Sequence, residues 1–388
     1  MERNIKIAYI LTALKNSWFW LGIWVFYYLL FTNYAGIGLI ETGMIVAMTL
    51  GEIPSGAVAD LLGKKKTLMI SFLLMAVGLF GVGLTPNFLW LALWVFVAGV
   101  GTSFYSGTLE ALVYDSLKEV KKESNYPKVI SQIGSLQLIA PAIAGVIGGF
   151  LYYFSPRLPF LLHGLFYFFG LLLCFFLIEP YIDSEKFSIN NFINQTKQGF
   201  RELTKTIDIR SQTVLLLTIG GIIVIADEMI NGFLGVEFGF NEQMAGILWA
   251  VIYVLSSFAS QLTPRLLKYF DENKSLLIIG VLTGISFIVS PYLGLLFGGL
   301  SLLMRSSFQV IFTNLASISI NKNTESKYRA TTLSTFNMLK NTPYVLFAFF
   351  IGSLADKYSA KIIAFWLGII LLGLLLFQII RRKRFSAN

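Results

Sequence analysis

Long apolar segments separated by short polar connections run along the whole chain. Two of the clearest are residues 17–31 (SWFWLGIWVFYYLLF) and 361–380 (KIIAFWLGIILLGLLLFQII). A bilayer core of ~30 Å needs about 20 apolar residues in a helix, which satisfies its own backbone hydrogen bonds in lipid. The strict apolar–polar alternation of an outer-membrane barrel is absent from the sequence. The pattern therefore predicts an all-α polytopic membrane protein.

Twelve transmembrane helices account for the apolar segments. We predict them at residues 8–31, 40–60, 67–84, 88–115, 128–153, 159–179, 213–235, 243–264, 274–291, 294–320, 330–354 and 360–380. Only the connection over 180–212 is long, so it separates a six-helix bundle at 1–179 from a second at 213–388. Within this linker, apolar residues recur at helical spacing with cations between them. They indicate an amphipathic helix on the cytoplasmic interface, and a disordered charged tether is the alternative.

Composition supports the membrane class, and the distribution of charge orients the chain. Hydrophobic residues make up 56% of the 388 positions and charged residues 13%, against about 25% charged in soluble domains. With the N-terminus inside, 24 of the 30 Lys and Arg residues fall on the cytoplasmic side, three fall outside and three lie within helices. This asymmetry predicts a multi-pass protein of the cell (inner or plasma) membrane with both termini cytoplasmic. It also explains the net charge of +9 by contact with membrane lipids, without a nucleic-acid partner.

A short motif recurs along the chain. GAVADLLGKKKTLM begins at Gly56 and GSLADKYSAKIIAF begins at Gly352, while weaker counterparts begin at Gly149 and Thr263. The spacing favours two halves, each made of two three-helix units. Repeats of this kind are typical of secondary transporters.

The first copy of the motif resembles the loop between the second and third helices of the major facilitator superfamily. Leu61 stands where that family usually has a basic residue, and Val58 where leucine is common. The resemblance extends to the helix count and the central linker, and it implies two pseudo-symmetric six-helix bundles. It also implies a conformational latch on the cytoplasmic side, whereas a loop that only sets topology is the simpler alternative. We assign the latch to Gly56, Asp60, Gly63, Lys64, Lys65 and Asp115.

Two further segments bear on the resemblance. Ser103, Gly107, Glu110 and Tyr114 in the fourth predicted span would share one helical face. This span has no arginine, which the family often carries there. The fifth span contains APAIAG at 140–145, which resembles the glycine- and proline-rich motif of superfamily antiporters with alanine at two usual glycine positions. Its helix-packing residues would be Pro141, Gly145, Gly148 and Gly149, although ordinary transmembrane packing would look similar.

Ionisable residues inside predicted helices are the candidate chemistry. Such a charge costs about 2.5–3.5 kcal/mol at the bilayer centre, so it should face a cavity or a partner. We predict a water-filled central cavity that binds the solute and a proton, and static ion pairing that fixes helix packing is the alternative. Among the acids, Glu110 is the favoured proton site, followed by Asp227 and Glu228. The predicted cavity residues are Glu110, Asp227, Glu228, Asn231, Arg305, Gln309, Asn337, Lys340 and Asn341.

Other chemistry is poorly supported by the sequence. His163 and Cys174 are the only residues of their types, so a metal site and an intrachain disulfide are not expected, and His163 is predicted to be packed and hydrogen-bonded. The sequence contains no G-x-x-x-x-G-K-[ST] loop, no cofactor motif and no catalytic constellation. These features argue against an ATP-driven pump and against an intramembrane enzyme.

The resulting expectation is a monomeric secondary transporter that works by alternating access. Proton-coupled efflux of a small amphipathic or drug-like solute is the favoured activity. Import or exchange of a sugar, nucleoside or organic anion on the same fold is the alternative, in which Arg305 and Lys340 would hold an anionic group.

Overall fold

The computed structural model describes residues 1–180, 189–325 and 328–386. Within these ranges the side chains of 52–61, 189, 191–192, 330 and 382–386 are not described, so Gly56 and Asp60 of the predicted latch lie outside the described side chains. Every regular element in the described ranges is helical. The chain forms two compact units, one made of Met1–Ile189 with Asn241–Val251 and the other of Asn190–Phe240 with Ile252–Asn388.

The first unit contains eight helices and the beginning of a later one. In chain order they are α1 (Glu2–Lys15), α2 (Trp24–Tyr28), α3 (Tyr34–Leu62), α4 (Lys64–Gly83), α5 (Phe88–Tyr105), α6 (Thr108–Glu119), α7 (Tyr126–Phe154) and α8 (Leu158–Cys174).

The second unit begins with the helix of the central linker. Its helices are α9 (Ile189–Thr204), α10 (Ile207–Ile225), α11 (Asn231–Glu237), α12 (Glu242–Ala259), α13 (Leu262–Tyr269), α14 (Glu272–Ile288), α15 (Leu295–Asn323), α16 (Arg329–Tyr358) and α17 (Ala360–Ser386). A π-helical turn at Ala226–Ile230 joins α10 to α11 without interrupting the helical path. The first residues of α12, up to Val251, belong to the first unit.

Among the described residues, nine helical segments are long and apolar enough to cross a membrane. The three remaining predicted spans differ for identifiable reasons. The first is divided between α1 and α2 by the turns at residues 16–23, whereas α8 and α14 have only 17 residues each. Large apolar side chains cover the outside of the helices, for example Phe154 and Leu296, which are each 77% exposed. Such surfaces are suited to lipid rather than to water.

The fourth predicted span is broken near its centre. Gly107 adopts φ +74° and ψ −24°, a left-handed conformation that ends α5 at Tyr105 and starts α6 at Thr108. Glycine takes this conformation readily because it has no Cβ. The predicted single helical face through Ser103 and Glu110 is therefore wrong, because the two residues lie on different helices.

A remote carboxylate caps the start of α4. Gly63 precedes this helix with φ +89°. The side chain of Glu179 accepts hydrogen bonds from the backbone N–H groups of Lys64 and Lys65, both at 2.7 Å. The first N–H groups of a helix lack partners within the helix and carry partial positive charge, so an anion stabilises them. The Nζ of Lys65 also donates to the Phe175 carbonyl oxygen at 2.7 Å, which fastens α4 to the end of the sixth predicted span.

The start of α17 repeats this arrangement in the second unit. Ser359 precedes the helix with φ +90°. The Glu237 carboxylate accepts from the backbone N–H groups of Ala360 at 2.6 Å and Lys361 at 3.1 Å. Lys361 Nζ donates to the Leu293 carbonyl oxygen at 2.9 Å. In the repeats that begin at Gly56 and Gly352, Lys65 and Lys361 occupy equivalent positions, so the sequence repeat corresponds to a repeated local structure.

Candidate functional site

Two polar contacts connect the α10–α11 segment to α15 in the second unit. Gln309 Nε2 donates a hydrogen bond to Asp227 Oδ2 at 2.7 Å. Arg305 Nη1 donates to Asn231 Oδ1 at 3.4 Å. Residues 227 and 231, like 305 and 309, are four positions apart, so each pair lies on one helical face and the two contacts are one turn apart.

The contact with Asp227 is accessible. Asp227 and Gln309 are half-buried, and Glu228 beside Asp227 is exposed. Both acids lie in the π-helical turn at Ala226–Ile230. Single π-helical turns inside longer helices are frequent at functional sites. Two adjacent carboxylates at mid-helix therefore remain open to a ligand.

Lys340 on α16 faces the same acids. It is half-buried and interacts electrostatically with both Asp227 and Glu228, but these residues form no direct salt bridge within the described part of the chain. Its stem lies against Gly220 of α10, where an added Cβ would come 2.9 Å from Lys340 Cγ. Gly220 thus leaves the space that the lysine occupies.

Two predicted amides accompany Lys340 on α16. Asn337 is exposed and Asn341 is half-buried. They lie three positions before and one position after Lys340. Tyr253 of α12 also interacts electrostatically with both acids. The second unit therefore brings together Asp227, Glu228, Gln309 and Lys340 in an accessible cluster of two acids, one amide and one cation.

The other predicted cation, Arg305, has a different environment. It is only 3% exposed, and its guanidinium lies 4.4 Å from the centre of the Phe287 ring. Its Nη2 donates to the Ser286 carbonyl oxygen and to Ser290 Oγ, both at 2.6 Å, and its Nε donates to Ser286 Oγ at 3.2 Å. Asn231, its remaining partner, is 2% exposed. These contacts favour a packing role for Arg305 over the cavity role predicted from sequence.

The first unit contains a separate cluster of charge and aromatic rings. Lys15 Nζ at the end of α1 lies 5.6 Å from the Trp18 ring centre and 5.2 Å from that of Tyr105. Glu110, at the start of α6, interacts electrostatically with Lys15. The Oε2 atom of Glu110 is buried and has no hydrogen-bond partner among the described residues. A buried acceptor without a partner is costly and uncommon in native proteins. Glu110 is therefore the acid of this unit that best fits a binding or proton-transfer role.

His163 is part of the packing of the first unit. Its Nδ1 accepts a hydrogen bond from Trp20 Nε1 at 2.8 Å, so Nε2 carries the proton and donates to the Lys15 carbonyl oxygen at 3.2 Å. The ring is fully buried and stacks on Tyr167 with centroids 4.2 Å apart. In the described part of the chain, no group of three His, Cys, Asp or Glu side chains could hold a metal ion.

The described part of the predicted latch lies inside the first unit. Lys64 Nζ forms a salt bridge with Asp115 Oδ2 at 2.5 Å, and each side chain is 14% exposed. Gly63 and Lys65 contribute to the capped start of α4 described above. Glu179 completes this cluster and was not predicted. Its position at the end of the sixth predicted span, just before Pro180, was the available signal.

The predicted helix-packing motif on α7 makes close backbone contacts within the first unit. A Cβ on Gly149 would lie 2.9 Å from the Glu242 carbonyl oxygen, and a Cβ on Gly246 would lie 2.6 Å from that of Gly145. Gly148 packs directly on the backbone of Phe19, and Pro141 is buried within the helix. A larger side chain at Gly148 or Gly149 would separate these segments, whereas a Cβ on Gly145 would come no closer than 3.4 Å to Leu21 Cδ2.

Comparison with known proteins agrees with this architecture. The family model for the Major Facilitator Superfamily matches residues 7–343. The crystal structure of the nucleoside transporter NupG superposes with a TM-score of 0.81 at 15% identity, covering 98% of each chain. The POT family transporter PepTSo gives 0.75 at 11% identity, covering 100% of this chain and 99% of that one. A bacterial homologue of the human lysosomal transporter Spinster gives 0.70 at 13% identity, covering 97% and 94%. A search of curated proteins found no match.

Membrane-spanning helices and charged side chains within them define an integral membrane protein of the transporter class. The chain belongs to the Major Facilitator Superfamily. It therefore has the fold of that family and is a secondary transporter of small-molecule solutes rather than an enzyme. At 11–15% identity, these structural neighbours are too distant in sequence to transfer a substrate.

Proposed function

We propose that this transporter binds its solute and a proton at the cluster of Asp227, Glu228, Gln309 and Lys340, and that it works by alternating access. The observation that carries the proposal is the pair of adjacent carboxylates in the π-helical turn, which remains accessible opposite Lys340. Opposite charges that attract but do not pair leave hydrogen-bonding capacity for a third group. A solute with polar atoms can bridge them.

The side chains of each unit, taken separately, suit an amphipathic solute. The acids of the second unit accept hydrogen bonds or hold a cationic group, and Lys340 can bind an electron-rich atom. In the first unit, Trp18 and Tyr105 offer aromatic faces beside Lys15. Aromatic faces attract both cations and apolar groups. We therefore propose proton-coupled efflux of a small amphipathic or drug-like molecule.

We assign proton coupling to acids whose environment differs between the states of the transport cycle. Asp227 and Glu228 are the proposed proton sites of the second unit, and Glu110 is the proposed site of the first. Repulsion between the two adjacent carboxylates of the second unit favours one shared proton, and binding of a cationic group would displace it. Exchange of a proton for a solute cation is an antiport cycle.

The remaining predicted residues have supporting roles in this proposal. Asn337 and Asn341 flank Lys340 and supply hydrogen bonds to the solute. Arg305 and Asn231 hold α15 against neighbouring helices. The latch of Gly56, Asp60, Gly63, Lys64, Lys65 and Asp115 stabilises one state of the cycle, and the α7 motif of Pro141, Gly145, Gly148 and Gly149 allows the close packing of its helices.

A second candidate is import or exchange of a nucleoside, sugar or organic anion. It is favoured by the amides of Gln309, Asn337 and Asn341 near Lys340, since hydroxyl-rich and base-containing solutes bind through hydrogen bonds. A structural neighbour is named as a nucleoside transporter. In either case we propose a monomer in the cell membrane with both termini cytoplasmic, following the asymmetry of Lys and Arg.

The test is transport by the purified protein in liposomes with an imposed pH gradient of either direction. A panel of amphipathic cations, nucleosides and sugars is first ranked by solute-dependent thermal stabilisation. Asp227→Asn and Glu228→Gln should each lower proton-driven transport about 10-fold or more, because a charge-assisted contact contributes about 1.5–3 kcal/mol. Glu272→Gln is the matched control, since Glu272 pairs with Lys322 at the end of its helix.

The direction of the driving gradient separates the two candidates. Efflux coupled to protons predicts that solute and protons move in opposite directions. Co-movement of a nucleoside with protons would favour the second candidate. Full transport by both acid variants would contradict the proposed site.

A further inference from the structure

Helix α9 in the central linker is fastened to its own unit along one side. Gly199 packs against α16, where an added Cβ would lie 2.9 Å from the Thr331 carbonyl oxygen. Leu203 is buried, and its carbonyl oxygen accepts a hydrogen bond from Thr213 Oγ1 of α10 at 2.8 Å. These contacts make α9 part of the folded unit and fix which of its faces point away from it.

An apolar edge of α9 remains uncovered. Ile193 is 44% exposed and Phe200 is 53% exposed. They are seven positions apart, which is two helical turns, so they lie in one line along the helix. Exposed apolar side chains arranged in a line indicate a contact surface rather than isolated exceptions.

Two cations lie directly beside this edge. Lys197 and Arg201 are exposed, and their side chains have no hydrogen-bond or ion-pair partner among the described residues. The nearby acid, Glu202, is buried and already paired with Lys205 at 3.0 Å. The outer surface of α9 therefore presents positive charge that no acid in the described ranges neutralises.

The packed side, the apolar edge and the cationic side follow one another around α9. Consecutive residues are about 100° apart, so the apolar edge lies between the side that packs on the protein and the side that carries Lys197 and Arg201. The membrane-spanning segment Ile207–Glu237 begins three residues after α9 ends at Thr204. Helix α9 thus ends at the membrane surface, where an apolar edge next to cations fits the boundary between acyl chains and headgroups.

We infer that α9 is a binding site for anionic phospholipid. Lys197 and Arg201 contact the headgroup phosphates, while Ile193 and Phe200 enter the acyl boundary of the same leaflet. Positive charge on both side chains favours anionic over zwitterionic lipid, because each basic residue near such a surface adds attraction. This inference does not depend on the transported solute or on proton coupling.

The first experiment measures lipid binding to the full-length protein purified in detergent. Phosphatidylglycerol and phosphatidylcholine are titrated separately, and bound lipid is counted by native mass spectrometry. The Lys197→Gln/Arg201→Gln double variant should bind phosphatidylglycerol about 25-fold more weakly, at roughly fivefold per cation removed. Phosphatidylcholine binding should change less than about twofold, because it lacks net charge.

A control variant with the same loss of charge separates binding at α9 from general charge attraction. The Lys118→Gln/Lys128→Gln double variant removes two exposed cations from the first unit and should leave the affinity for phosphatidylglycerol within about twofold. An equal loss in both double variants would show general charge attraction and overturn the assignment to α9. So would unchanged binding in the Lys197→Gln/Arg201→Gln variant.

The second experiment locates the apolar edge. Spin labels at Ile193→Cys and Phe200→Cys in vesicles with phosphatidylglycerol should be shielded from aqueous relaxing agents, about 5–10 Å below the headgroup level. A label at Asn194→Cys, on the exposed polar side, should stay accessible to water. Water accessibility at all three positions, or label-to-label distances that show a second copy covering the edge, would overturn the inference.

Discussion

Arg305 and Lys340 lie near the middle of two long helices of the second unit, and their surroundings differ sharply. Arg305 is 3% exposed, and its donors are used by Ser286, Ser290 and Asn231. Lys340 is half-buried and attracts two carboxylates without forming a salt bridge to either. Both pay the same kind of desolvation cost in a membrane. The difference shows that fixed neutral dipoles can stabilise a buried charge permanently, whereas a charge with incomplete partners is available to a ligand.

Substitution of Lys340 tests the difference between the two cations most directly. Lys340→Met should lower transport about 10–100-fold, because it removes a cation that faces Asp227 and Glu228. The free energy of unfolding in detergent should change by less than about 1 kcal/mol, since the Lys340 side chain makes no hydrogen bond within the part of the chain that the structure describes. Transport into liposomes per folded molecule is the measurement. Lys322→Met at the end of α15 is the control, and transport above half the unmodified rate would contradict the assignment.

At Arg305 the expected effect is on stability. Ser290→Ala removes an acceptor of the buried guanidinium and should lower the free energy of unfolding by about 1.5–3 kcal/mol. Adding Arg305→Met should restore most of the loss, because an uncharged side chain needs no such partner. Transport per folded molecule should stay within about twofold in both variants.

Ser301 of α15 supplies the control for that series. It is buried, and its hydroxyl has no hydrogen-bond partner among the described residues. Ser301→Ala should therefore cost less than about 0.5 kcal/mol. If Ser290→Ala is equally mild, or if it abolishes transport while the fold is retained, Arg305 is not held in the way that its contacts indicate.

The smallest expected effect concerns the space beside Lys340. Gly220→Ala places a methyl group 2.9 Å from Lys340 Cγ and 3.0 Å from Phe312 Cζ, so the lysine must shift by a few tenths of an ångström. Transport should fall about threefold, as expected for a slightly misplaced binding group. Gly235→Ala on α11, where an added Cβ meets nothing within 4 Å, should leave the rate unchanged. Equal rates in both variants would show that the position of Lys340 is not critical.

Much of the fold could be predicted because lipid imposes long apolar helices. The breaks inside those helices were harder to see. Gly107 follows Ser106, a dipeptide typical of turns, and this signal was available. The turns at residues 16–23 carry no comparable signal, because Trp18, Phe19 and Trp20 read as a continuous apolar span.

The sequence identifies the charged residues of the candidate site but not the contacts that each of them makes. Charges within helices identify Asp227, Glu228, Arg305 and Lys340, yet the sequence does not separate the two cations. The distinction depends on α14, where Ser286 and Ser290 are placed by tertiary packing against Arg305. The capping acids Glu179 and Glu237 were missed for the same reason, since their partners are 114 or more positions away in the chain.

Those two capping acids have a mechanical consequence. A carboxylate that holds two backbone N–H groups resists both sliding and rotation between the elements it joins. Glu179 therefore obliges α4 to travel with the end of the sixth predicted span, and Glu237 obliges α17 to travel with α11. In each unit, these two helical segments therefore move as one rigid piece. To separate them, the two hydrogen bonds of the carboxylate and the one made by the neighbouring lysine would have to break together.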